Sequence, residues 1–136
     1  MYNHILVPVA PDHAGRGEAA LAAAEALLDD SGRITVLHVE ERMPGYATSY
    51  IPDEVVDRVR AETKQSLRNL VKRSKANTDI AVVTGHPAKS ISDYAENHEA
   101  DCIVIASHHP GLSDYLLGST AAWVARHADC SVHIIR

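Results

Sequence analysis

The chain has 136 residues, enough to build a hydrophobic core of its own, and we expect residues 1–136 to form one domain. Its net charge of −5 argues against nucleic-acid binding, which usually requires a basic face. No apolar run long enough to span a membrane is present, and the opening MYNHILVPVA lacks the features of a signal peptide, so we expect a cytoplasmic protein.

Five short apolar segments, rich in β-branched residues, predict strands that alternate with helical patterns along the chain. Near-continuous hydrophobicity, as in ILVPV and CIVIA, is typical of strands that are covered on both faces. The predicted strands are His4–Val9, Arg33–Val39, Asp79–Thr84, Cys102–Ala106 and Ser131–Ile135.

Four helices are predicted between these strands. The first is alanine-rich and runs over about Gly15–Asp30, where Ser31-Gly32 is expected to end it. The second follows a proline, which is favoured in the first helical turn, and covers about Pro52–Ser74. The third begins at Pro87 and the fourth follows Ser119.

Strands separated by helices imply right-handed crossovers, and therefore a doubly wound, mostly parallel α/β sheet with helices on both faces. In such sheets ligands bind beyond the carboxyl ends of the strands, where the winding reverses. Three loops are expected there, at Ala10–Ala14, Glu40–Ile51 and Ser107–Leu117. The last loop is longer than the roughly 2–6 residues usual in α/β units, which favours a binding role.

The segment Gly118-Ser119-Thr120 opens the last helix and is the best candidate for an anion site. A helix start of this kind leaves bare backbone N–H groups at the positive end of the helix dipole. We expect a side chain at position 118 to fill the space where an anion approaches. Alternatively, Gly118-Ser119 is simply a helix N-cap, a common role for serine.

A dinucleotide site has weaker support in the sequence. Gly15–Ala20 fits G-x-G-x-x-A, and Glu40 lies about where a ribose-binding acid would be expected. However, Ala10–Ala14 separate these glycines from the strand, so the tight strand–turn–helix geometry that holds a pyrophosphate would be lost. The sequence also contains neither GxxxxGK[ST] nor GxSxG.

Metal binding is also poorly supported. The chain has nine histidines, but none are in HxxxH spacing, and strand histidines are more often satisfied structural residues than ligands. Cys102 and Cys130 lack CxxC spacing and are expected to be buried free thiols, not zinc ligands or a disulfide.

Several motifs spread over the whole chain occur together in one known family. They are ILVPV in the first strand, LHV in the second, Gly85-His86-Pro87, and the block that runs from IVIASHHP through YLLGSTAA to the last strand. Together they resemble the universal stress protein family, and most closely its small nucleotide-binding branch, typified by the bacterial F and G proteins. The resemblance implies an open, Rossmann-like five-stranded parallel sheet in the order 3-2-1-4-5.

The resemblance also implies a phosphate-binding segment. In the family pattern G-x2-G-x9-G-[ST], the last pair matches Gly118-Ser119, and Thr120 adds a third N–H group and a hydroxyl. We expect these residues to bind phosphate.

The first half of the same pattern is altered. Ser107 and His108 match the two residues between the first glycines, but Ala106 and His109 stand in place of the glycines themselves, and the loop is one residue shorter. The resemblance implies that Ser107, His108 and His109 line the ribose-phosphate track, with Ala106 as a further nucleotide-binding residue. Glycine allows a close backbone approach that His109 does not. Equally, the His-His-Pro segment is compatible with a solvated turn.

The base-binding end is expected at the ends of the first two strands. By resemblance, Val9, Ala10 and Val39 would surround the base, and Pro8 is a further nucleotide-binding candidate. Family members commonly carry an aspartate at the position of Ala10, where it contacts the adenine edge. This chain has lost that polar contact, although Asp12 lies two residues further on.

The function implied by the resemblance is that of a stress-response sensor or accessory factor that binds ATP, ADP or AMP. No enzyme activity beyond a slow ATPase is expected, and the participation of Mg2+ is left open. A homodimer is expected through the apolar edge strand Ser131 to Ile135, alongside a protein partner that the sequence does not identify. The alternative is a nucleotide-free dimeric interaction module of the same family, favoured by Ala10 and by the two lost glycines.

Overall fold

A five-stranded parallel sheet forms the centre of the computed structural model, which describes residues 1–10, 16–41, 50–107 and 117–136. The strands are Tyr2–Pro8 (β1), Leu28–Glu40 (β2), Thr78–Thr84 (β3), Cys102–Ala106 (β4) and Ser131–Ile135 (β5). All four strand pairs are parallel and the order is β3-β2-β1-β4-β5, which confirms the predicted topology.

Four helices of the described residues cover the two faces of this sheet. They are Arg16–Leu27 (α1), Asp53–Lys72 (α2), Pro87–Asn97 (α3) and Ser119–His127 (α4). Among these helices, none is both long and apolar enough to cross a lipid bilayer.

Each strand contributes side chains to both faces because neighbouring residues point in opposite directions. In β1, Ile5 and Val7 pack in one buried cluster with α1 and α2, whereas Leu6 packs in the other with α3 and α4. All three side chains are fully buried. This explains why the strand is hydrophobic at consecutive positions.

The boundary between the first helix and the second strand differs from the prediction. The helix ends at Leu27, not Asp30, because Leu28 already pairs with Tyr2 at the start of β2. Gly32 lies within β2 and is not a helix cap. A Cβ atom there would lie 2.6 Å from Leu28 Cδ1 and 3.0 Å from the Asn3 carbonyl oxygen, so the absence of a side chain permits close packing.

A buried histidine ties β1 to its neighbours at the amino-terminal end of the sheet. The Nδ1–H group of His4 donates to the His98 carbonyl at 3.0 Å, and its Nε2 accepts from the Thr35 hydroxyl at 2.8 Å. Because a carbonyl only accepts, this network requires a proton on Nδ1. Burial lowers the pKa of His4 below its ordinary value, although the bond to His98 opposes this effect.

The two cysteines are free thiols, as predicted, but only Cys102 is fully buried. Cys102 belongs to the core cluster beneath α1 and α2, whereas Cys130 packs against the cluster on the opposite face. Burial raises the pKa of the Cys102 thiol to about 11, so it stays protonated near neutral pH.

Candidate functional site

A cavity of about 670 Å³ opens at the carboxyl ends of the central strands. It lies where the winding of the sheet reverses, between the neighbouring strands β1 and β4. This volume falls within the range of about 300–1,000 Å³ that is usual for small-molecule sites. The nine described residues of the predicted site all line it: Pro8, Val9, Ala10, Val39, Ala106, Ser107, Gly118, Ser119 and Thr120.

Some predicted features lie outside the described residues. They include His108 and His109, together with most of the three loops expected to form the crevice. The cavity is therefore built here from strand ends and helix starts, and the roles of the two histidines stay predictions.

The amino-terminal end of α4 forms one wall of the cavity. Gly118 is the N-cap residue, and the first described bond of the helix runs from the Ala122 N–H to the Gly118 carbonyl at 2.9 Å. The preceding N–H groups of the first turn, on Ser119, Thr120 and Ala121, have no acceptor within the helix. All three residues line the cavity, so their donors are placed where an anion can reach them.

The N-cap of α4 lies in the pair Gly118-Ser119, as the alternative expected, but it is the glycine and not the serine. The cap residue is Gly118, with φ −59° and ψ 150°, and no side chain caps this helix end. Ser119 is the first helical residue and its side chain is exposed. Its hydroxyl is therefore free of the capping role that serine often has at a helix start.

The close approach of Gly118 to the Ser107 carbonyl favours glycine at this position, a reason that the sequence does not show. Its N–H donates to the Ser107 carbonyl at 2.6 Å, and a Cβ atom on Gly118 would lie only 2.7 Å from the same oxygen. The expectation that a side chain here fills the anion space stays a prediction, and this contact adds a second reason for glycine. A side chain would first collide with the backbone at the end of β4.

The opposite wall is formed where β1 and β2 end. The Val9 N–H donates to the Leu37 carbonyl at 2.9 Å, and His38 Nδ1–H donates to the Val9 carbonyl at 3.2 Å. Ala10 is exposed at the end of this segment and offers no side-chain acceptor. Val9, Ala10 and Val39 give this wall an apolar surface that suits the face of a planar ring.

Sequence reasoning missed several residues of the cavity. Arg16 and Gly17 line it from the start of α1, and His38, Glu40 and Glu41 line it from the end of β2. Glu40 and Glu41 were predicted only as the start of the crevice loop Glu40–Ile51, with Glu40 also part of the dinucleotide pattern. His38 was treated as an ordinary strand residue. A signal for Arg16 was present, since a cation in the first turn of a helix opposes the helix dipole.

The dinucleotide alternative does not fit the geometry. Residues 9–15 separate the end of β1 from the start of α1, whereas the fingerprint requires a tight turn. A Cβ atom on Gly17 would lie 3.2 Å from Leu70 Cδ2 and 3.5 Å from Val9 Cγ1, so this glycine allows α1 to pack closely against α2 and the end of β1.

Among the described residues there is no group of three or more potential metal ligands.

Similar proteins cover the full length of the chain. The universal stress protein family model matches residues 1–136. Universal stress protein G of Shigella flexneri is 30% identical over 145 residues, which span 100% of each chain. The solved universal stress protein UspA from Lactobacillus plantarum is 28% identical with a TM-score of 0.80, and the match covers 99% of this chain and 98% of that one.

A further solved structure with the same fold is a nucleotide complex. It is the universal stress protein from Archaeoglobus fulgidus in complex with dAMP, which is 22% identical with a TM-score of 0.68. The match covers 99% of this chain and 98% of that one.

Proposed function

We propose that this chain, which belongs to the universal stress protein family, binds an adenine nucleotide in the cavity at the carboxyl ends of β1, β2 and β4. The observation that carries the proposal is the convergence of nine residues, from four separate parts of the sequence, on one cavity. The related fold from Archaeoglobus fulgidus in complex with dAMP supports the same class of ligand.

The two walls of the cavity suggest the orientation of the ligand. Phosphate groups would bind at the α4 start, where Ser119 and Thr120 present N–H donors and the helix dipole favours an anion. The base would lie against Val9, Ala10 and Val39, with Ser107 near the ribose and phosphate between the two ends. This orientation places the negatively charged phosphates of the ligand at the electropositive amino-terminal end of α4.

The proposed role is that of a stress-response sensor or accessory factor whose nucleotide occupancy changes the surface formed by the loops. ATP, ADP and AMP all fit this proposal, and Mg2+ would accompany only the longer phosphate chains. We propose no rapid turnover, at most slow ATP hydrolysis. The protein partner would be identified by its preference for the nucleotide-bound or the nucleotide-free form of this chain.

The second candidate function is a nucleotide-free interaction module. Ala10 leaves the base wall without the acceptor that family members commonly have, and Ala106 replaces a glycine at the end of β4. These two changes would weaken binding at both ends of the site. In this alternative the fold and the exposed strand β5 would be retained for assembly alone.

Calorimetric titration with ADP distinguishes the two candidates. Wild-type protein is expected to bind, and Ser119→Glu is expected to lose binding because its carboxylate would occupy the anion position. An acidic residue in the first turn is compatible with the helix dipole, so α4 should still fold. Ser66→Glu adds the same charge at an exposed position of α2 and should bind normally. Absence of binding by the wild type would favour the interaction module.

A further inference from the structure

We infer that Arg16 is a ligand for the phosphate of the nucleotide, supplying from α1 the positive charge that faces the α4 start. This inference rests on the proposed function, because it assigns a residue to the same cavity. Arg16 does not belong to the glycine-rich pattern that the family resemblance brings to this chain. It stands at the first residue of α1 and lines the cavity together with Ser119 and Thr120.

The first observation is that Arg16 has no partner in the described part of the chain. It forms no hydrogen bond or ion pair with any described residue, although it is half-buried. Every other arginine of the described residues is exposed to solvent, and of these Arg60 pairs with Glu40 and Arg73 pairs with Glu18. A half-buried guanidinium carries five donors that normally find acceptors, so its position in the cavity wall favours an acceptor supplied by the ligand.

The second observation concerns the position of this charge on the helix. A cation in the first turn is unfavourable because the amino-terminal end of a helix is already positive. The acidic residue of that turn, Glu18, pairs with Arg73 and does not line the cavity, so it does not compensate Arg16 there. An anion bound near Arg16 would reverse this penalty, because it would be attracted both by the guanidinium and by the helix end.

The third observation is the distribution of charge around the cavity. Glu40 and Glu41 also line it, and the chain as a whole carries a net charge of −5, so an approaching phosphate is repelled from much of the surface. Neither glutamate forms an ion pair with Arg16. Glu40 instead pairs with Arg60, with 3.5 Å between Arg60 Nε and Glu40 Oε2. No described residue therefore pairs with the Arg16 guanidinium, and a ligand phosphate would meet a charge that compensates in part for the altered glycine pattern.

The test compares ADP with adenosine, which lacks phosphate, in calorimetric titrations of wild type, Arg16→Gln and Arg68→Gln. Arg68 is an exposed α2 residue away from the cavity, so its variant controls for the loss of one positive charge. Arg16→Gln is expected to weaken ADP binding by roughly ten- to one-hundred-fold, the range for a charge-assisted contact. Adenosine binding should change by less than about two-fold, as should ADP binding to Arg68→Gln.

The outcomes separate this inference from the proposed function. If wild type binds ADP and Arg16→Gln binds it equally well, the assignment of Arg16 is overturned while nucleotide binding stands. An equal loss of ADP and adenosine would also overturn it, because Arg16 would then shape the cavity without contacting phosphate. If wild type binds neither ligand, both the inference and the proposed function fail.

Discussion

Gly118 lies where the start of α4 meets the end of β4, and the contact between them is a backbone hydrogen bond of 2.6 Å to the Ser107 carbonyl. The φ and ψ angles of Gly118 are accessible to any residue, so its backbone conformation does not require glycine. The requirement comes from the Ser107 oxygen, which would lie 2.7 Å from an added Cβ atom. This glycine therefore positions α4, and with it the N–H groups that we propose bind phosphate.

Gly118→Ala should consequently destabilise the protein even without nucleotide. The added methyl group must displace backbone on one side of the cavity, and overpacking of this kind costs about 1–3 kcal/mol. Gly17→Ala is the matched control, because its nearest contact at 3.2 Å is the end of the Leu70 side chain, which can move. The control should stay within about 1 kcal/mol of wild type, since alanine also favours the helix. Urea unfolding of both variants measures the difference, and equal stability would contradict this account of Gly118.

The site residues predicted from the sequence either belong to a recognisable local pattern or were implied by the family resemblance. Gly118, Ser119 and Thr120 open a helix, and their position in the cavity follows from that role. Arg16 and His38 were missed because their contribution depends on tertiary proximity. His38 reaches the cavity from a strand and bonds the Val9 carbonyl of the neighbouring strand, a contact that no spacing rule reveals.

At the scale of the elements, strand β2 shows where local signals fail. Asp30, Ser31 and Gly32 have the composition of a helix end, and the sequence predicted a helix up to Asp30. In the structure Leu28 pairs with Tyr2, so strand pairing replaces the last helical turn. The bounds of β4 and β5, by contrast, agree with the prediction, because the sequence passes abruptly from turn residues to apolar residues at these strands.

The His4 network makes the tie between β1, β2 and the end of α3 sensitive to pH. Because burial lowers the folded-state pKa of His4 below the unfolded value, protonation favours the unfolded chain. The stabilising contribution is fully present above the unfolded pKa of about 6.5, and it is lost as the pH falls through the lower folded-state pKa. We expect the free energy of unfolding to decrease between about pH 7.5 and pH 5.

Two variants test whether His4 causes this decrease. His4→Gln should be less stable at neutral pH because it disturbs a buried hydrogen-bond network, but its stability should depend less on pH than that of wild type. His127→Gln changes an exposed histidine at the end of α4, outside the proposed dimer edge, and should keep the wild-type decrease in stability at low pH. Identical pH profiles for wild type and His4→Gln, by chemical denaturation, would exclude His4 as the source.

At the scale of the whole molecule, the strand order leaves β5 at one edge of the sheet. It pairs with β4 on one side, and its other side presents backbone groups that can pair with a second chain. Val132, Ile134 and Ile135 are half-buried and add apolar surface to this edge. We propose that two copies join through antiparallel β5 strands about a two-fold axis, which gives a closed interface.

His133 provides a direct test of this assembly because it is the central residue of β5 and its side chain is exposed. In a symmetric antiparallel pair it would face its own copy, so His133→Lys would place like charges opposite each other. Sedimentation should show a dimer for wild type at tens of micromolar and a shift towards monomer for His133→Lys. Ser66→Lys, at an exposed position of α2, should remain dimeric. A monomeric wild type would exclude the proposed dimer.

The central claim is that an adenine nucleotide binds with its phosphate at the start of α4, and residue-resolved NMR during titration with ADP tests it most directly. We expect saturable amide shifts that are largest at Ser119, Thr120 and Ala121, with smaller changes at Val9 and Val39 on the base wall. Amides at the opposite end of the sheet, such as that of His4, should not change. Absence of saturable shifts at millimolar ADP, or shifts confined to residues outside the cavity, would contradict the claim.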